Sequence, residues 1–123
     1  MPSDFASEPL FDPEQIELLR EAVGPEDLGP MLAELPQHAL QSLDAIRGAL
    51  AANDLDQTRR AAHVLKGFAS SFGAARLAAI AHDMELECSS VPELRQRVPA
   101  LIEAIEATSA AIGELTATAG VGS

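Results

Sequence analysis

The sequence holds no tryptophan and no tyrosine, and its four phenylalanines leave aromatics at only 3% of 123 residues. Alanine and leucine dominate instead. Both lose little on entering a helix, so the composition favours helices over strands. No alternating strand pattern of useful length, low-complexity tract or internal repeat is present. The one cysteine, Cys88, excludes an internal disulfide and fits a reducing compartment. No apolar run approaches the roughly 18 residues that span a bilayer. The opening Met1-Pro2-Ser3-Asp4 has neither a basic nor an apolar leader region, so a cytoplasmic location is expected. Basic residues are few: 8 against 19 acidic, a net charge of −11. Such a surface repels phosphate backbones and anionic lipids, which argues against nucleic acid and membrane partners. There is no G-x-x-x-x-G-K-[ST] loop and no glycine-rich turn feeding a nucleotide pocket. With 47% hydrophobic residues, the chain is nonetheless no disordered acidic tail, and its length suits one domain with one core.

What is present is helical periodicity, punctuated by caps and breakers. Residues 1–11 read as a flexible segment, residues 12–116 as the helical body and residues 117–123 as a flexible tail. Asp12, Pro13 and Gln15 form a capping-box-like start for a first helix that runs to about Val23 and stops at Gly24-Pro25. A second helix reads from about Glu26 to Ala52, with Leu28, Leu32, Leu35, Ala39, Leu43, Ile46 and Leu50 inward and a kink at Pro36. Asp54 caps a third, about 55–72, whose inner stripe is Leu55, Thr58, Ala62, Leu65, Ala69 and Phe72; Gly73 suits the left-handed stop. A fourth, about 74–88, turns Leu77, Ile80, Ala81, Met84 and Cys88 inward. The last, about 92–116, buries Leu94, Val98, Leu101, Ile105, Thr108, Ile112 and Leu115, with a bend at Pro99. Amphipathic helices joined by short connections cannot bury their stripes singly. The expected fold is therefore all-α, an antiparallel four-helix bundle with a short additional N-terminal helix.

The outer face of the third helix is unusual. With about 100° of rotation per residue, His63 points away from the core and Gly67 lies nearly opposite the stripe. Arg60 and Asp56 share that face, with Arg59, Lys66 and Ser70 on its flank. A glycine in an exposed helix interior costs about 1 kcal/mol relative to alanine, and the core does not need it. One turn from His63, it removes the side chain that would crowd the ring. Lys66 is the only lysine, three residues after His63, and with Arg59 and Arg60 it gathers three of the eight basic residues. An exposed imidazole, a cleared approach and a nearby cation suit a group that accepts an anion on a ring nitrogen. The plainer alternative, a surface histidine beside a neutral glycine, remains open on geometry alone.

The segment from Ala62 to Leu77 closely resembles the signature of the histidine-containing phosphotransfer (HPt) domain, approximately A-H-x-L-K-G-x-x-x-x-x-G-A-x-x-L. Ala62, His63, Leu65, Lys66, Gly67, Gly73, Ala74 and Leu77 carry it, and Glu85, after Met84, fills a later acidic or amide position. The likeness extends over about residues 12–116 in the order and length of the helices. It implies that His63 is the phosphoacceptor, that Lys66 neutralises phosphoryl oxygens, and that Gly67 leaves room for a partner's active site. Glu85 would orient the imidazole through its other nitrogen, a position where many family members carry glutamine. Arg59, Arg60, Val64, Phe68 and Ser70 would contribute to docking.

The implied reaction passes a phosphoryl group between the aspartyl phosphate of a response-regulator receiver domain and His63. It draws on positioning and charge more than covalent chemistry by the protein. Receiver domains and a hybrid histidine kinase are the implied partners, Mg²⁺ belongs to the receiver, and a monomer suffices. No cofactor is expected in this chain. One alternative is a receiver-binding module that drains or sequesters phosphate without onward transfer. Another is a metal or redox bundle using His38, His63, His82, Cys88 and carboxylates, but the Glu-x-x-His spacing such sites use is missing. His38 and His82 read as surface residues and Cys88 as a small core residue.

Overall fold

Aspartates open two of the helices, each with a side-chain oxygen accepting from a first-turn backbone amide. The computed structural model describes residues 5–121, with the side chains of 5 and 7–114. Asp12 Oδ1 accepts from the Glu14 amide at 3.0 Å and starts α1 (Pro13–Val23). The sequence reading paired this cap with Gln15; the bond closes one residue earlier, and Gln15 instead lies against Gly73. Gly24, at φ +89°, ends α1, and its amide returns to the Arg20 carbonyl at 2.8 Å. Only glycine reaches that conformation without strain.

The expected second helix is two helices, α2 (Pro25–Leu32) and α3 (Leu35–Ala51), parted at Ala33-Glu34. Pro36, inside the first turn of α3, has no amide to give and its ring clashes with the carbonyl four residues back, so the chain breaks rather than kinks. The apolar stripe nonetheless continues across the break: Leu28, Leu32, Leu35, Ala39, Leu43, Ile46 and Leu50 are all buried.

Asn53, at φ 57°, turns the chain, and Asp54 Oδ1 accepts from the Gln57 amide at 3.0 Å to start α4 (Leu55–Ser71). After Gly73 comes α5 (Ala75–His82), which passes into a π-helical turn, Asp83–Glu87, where the sequence indicated a single helix. The last helix, α6 (Val91–Val121), is unbroken at Pro99. Of the segments read as flexible ends, residues 1–4 and 122–123 lie outside the described residues. Within the first, Phe5–Ser7 forms a short 3-10 turn against α5, and the Glu8 carbonyl accepts from Arg76 Nε at 2.9 Å.

α3 packs on α4, α4 on α5 and the π turn, α5 on α6, and α6 back on α3, which closes a four-helix bundle. α1 and α2 pack together at one end, with α2 also against α6. The described residues contain no strand, so the all-α bundle expected from periodicity is the fold. Leu65, Leu77, Ile80, Met84, Leu94 and Leu101 are among its fully buried side chains. Leu55, Phe72 and Val98, read as core, are half-buried at its edge, and Leu115 falls outside the described side chains. Among the described residues no helix is long and apolar enough to cross a membrane.

Candidate functional site

α4 has two faces of opposite character. Thr58, Ala62, Leu65 and Ala69 have no measurable exposure and lock its rotation against the bundle. That rotation turns His63 outward, with 65% of its side chain exposed. A Cβ built on Gly67 would meet nothing within 4 Å, so no contact inside the chain calls for a glycine there.

Glu85 reaches this face from the π turn. Its Oε2 lies 2.7 Å from His63 Nδ1, and its Oε1 forms an ion pair with Lys66 Nζ at 2.8 Å. One half-buried carboxylate thus holds both the imidazole and the only lysine. The Lys66 ammonium beside it is the main reason that the Glu85 carboxyl sits below the usual carboxylate range; burial opposes this, and His63 adds to it. An ionised carboxylate can only accept, so Nδ1 carries the proton and donates it to Glu85. In the neutral ring Nε2 is then left with its lone pair, on the exposed side of the helix. A nucleophilic nitrogen, oriented from behind and flanked by a cation, is the chemistry that this arrangement can perform.

The remaining sequence-selected residues fall into different places. Arg60 and Val64 are exposed and line a shallow groove of about 500 Å³ between α3 and α4, floored by Ala45, Gly48, Ala49 and Ala61. Val64 keeps 57% of its surface open. Phe68 is half-buried, its ring 4.7 Å from that of His38 and tilted by 51°, so His38 is a packing partner at the bundle edge rather than a free surface residue. Ser70 is exposed at a second cleft, with Asp12, Gln15 and Gly73. Arg59 is half-buried and turned toward the chain: its Nη2 donates to the Cys88 carbonyl at 2.8 Å.

Two features escaped the sequence reading. Leu86, beside Glu85, is 56% exposed, and a leucine off the apolar stripe of its helix was the signal that could have found it. Asp83 is buried and accepts from Arg97 Nε at 2.6 Å, a pairing across 14 residues that no local spacing announces. Cys88 is buried as expected, and burial together with the Asp83 carboxylate pushes its thiol up to about 11. Among the described residues no three of His, Cys, Asp and Glu come close enough to hold a metal ion.

Among known families, the model described as the Hpt domain fits residues 30–117. No curated protein and no solved structure matches the chain.

Proposed function

The chain belongs to the Hpt domain family, whose members are histidine phosphotransfer modules of phosphorelays, and from that premise we propose that it relays phosphoryl groups through His63. The observation that carries this reading is the shared carboxylate of Glu85: it accepts a hydrogen bond from Nδ1–H, pairs with Lys66 and leaves Nε2 free on an open helix face.

The donor is the aspartyl phosphate of a response-regulator receiver domain. Nε2 attacks phosphorus in line, a P–N bond forms, the P–O bond to aspartate breaks, and the aspartate leaves as a carboxylate. Positive charge develops on the ring as the bond forms. The Nδ1–H···Glu85 hydrogen bond then joins two opposite charges and strengthens, so Glu85 stabilises the transition state more than the resting ring. Lys66 is ion-paired with Glu85 and has three N–H donors to turn toward the phosphoryl oxygens. The rest of the charge stabilisation, Mg²⁺ included, belongs to the receiver. Gly67 admits the receiver's active site, and Arg60, Val64, Phe68 and Ser70 form the docking surround. The reverse reaction hands the group to a second receiver; a hybrid histidine kinase supplies the first. The chain needs no ATP site for this work, acts as a monomer and operates in the cytoplasm.

Incubation with a phosphorylated receiver should give an acid-labile, base-stable modification on the wild-type chain and none on His63→Gln. Normal labelling of His63→Gln would remove His63 from the reaction. The same assay run from the labelled chain to a fresh receiver separates a relay, which empties, from a sink, which does not.

A further inference from the structure

The turn that delivers Glu85 is itself tied down at both ends. A π turn is rare because its hydrogen-bond geometry and packing are poorer than those of an α turn, so something must hold it. At its start, Asp83 is buried and bound to Arg97, and its carbonyl accepts from the Cys88 amide at 3.1 Å, closing the wide turn. At its end, Cys88 leaves the helix in extended backbone with its side chain fully buried. The carbonyl of Cys88 is taken by Arg59, one turn before His63 on α4. Three contacts therefore join α4 to the turn: His63 and Lys66 to the Glu85 carboxylate, and Arg59 to the Cys88 carbonyl. Arg59 Nε is buried without a hydrogen-bond partner, so the guanidinium is held where its other end bonds rather than where it is best solvated.

Relaxing the π turn to α geometry would rotate Glu85 about the helix axis and draw its carboxylate away from Nδ1. We propose that Arg59 is a positioning residue for phosphotransfer: by holding the Cys88 carbonyl it fixes the π turn, and through Glu85 it fixes which nitrogen of His63 carries the proton. The proposal rests on the reading of His63 as phosphoacceptor, and it assigns Arg59 an action inside the chain rather than at the docking surface.

Arg59→Met keeps the apolar stem and removes the bridge. In the isolated protein, the long-range ¹H–¹⁵N spectrum of His63 should show the Nδ1–H tautomer in the wild type and a marked rise of the Nε2–H tautomer in Arg59→Met. Transfer from a charged receiver should slow by up to about a hundredfold, the scale of a misplacement of about 1 Å at a reacting group. In a Glu85→Ala background, where nothing is left to position, adding Arg59→Met should cause no further slowing. An unchanged tautomer, or equal slowing in both backgrounds, overturns the proposal. Should Arg59→Met fail to fold, Arg59→Lys gives the same readouts with a smaller shift in the same direction, and no shift there overturns it equally. A wild type that accepts no phosphoryl group contradicts the His63 reading instead, while the tautomer comparison still judges Arg59.

Discussion

The inner and outer faces of α4 were built under different demands. Every inner residue, Thr58, Ala62, Leu65 and Ala69, is accounted for by packing inside the chain. The outer residues Arg60, Val64 and Gly67 are not: they are exposed, and nothing in the bundle requires them. The two glycines of the segment make the same point. Gly73 is at φ +70°, and a Cβ there would come within 3.0 Å of the Gln15 side chain, so the fold itself demands glycine. The Asp12 amide donates to the Gly73 carbonyl at 2.8 Å, which docks α1 on that corner. Gly67 has open space around it and an ordinary helical backbone. A residue that the fold pays for and does not use points outside the chain.

Substitutions on the two faces should therefore separate stability from transfer. The largest stability effect belongs to the inner face: Leu65→Ala, at a fully buried site, should cost about 2–5 kcal/mol in denaturant unfolding. Transfer per folded molecule should persist. Gly73→Ala should destabilise by more than about 1 kcal/mol, because both its backbone conformation and the contact with α1 are violated. Gly67→Ala should do the reverse, raising stability by about 1 kcal/mol while slowing transfer from a receiver. Equal destabilisation by the two alanines would dissolve the contrast between the faces.

The smallest effect is a pH dependence. The carboxyl of Glu85 is lowered from its ordinary 4.5, chiefly by Lys66. A lowered value in the folded state means that the contact stabilises fully above the unfolded value and fades as pH falls through the folded one. The stability gap between wild type and Glu85→Gln should accordingly narrow as pH falls below 4.5. Thermal melts over that range check the sign.

Much of this contrast was legible in the sequence, because a helix locked by its apolar stripe also declares what lies opposite. The stripe of α4 placed His63 and Gly67 outward, and Asp54 marked its start. The division of α2 from α3 was not legible: Leu32 and Leu35 keep helical spacing across the break because both pieces bury against one core. The π turn was hidden for a similar reason. Ile80, Met84 and Cys88 are all buried, and their regular spacing reads as α whether or not a residue is squeezed into the turn between them. Arg59 read as a docking residue because its partner is a backbone carbonyl 29 positions away, and a carbonyl leaves no mark in a sequence pattern. Glu85 could be placed near His63 from the family resemblance, but its simultaneous hold on Lys66 needed coordinates.

The most direct test of the account is the nitrogen that takes the phosphoryl group. A long-range ¹H–¹⁵N spectrum of the chain phosphorylated by a charged receiver should place phosphorus on Nε2 of His63, with Nδ1 still protonated against Glu85. Phosphorus on Nδ1, or on any residue other than His63, would contradict it.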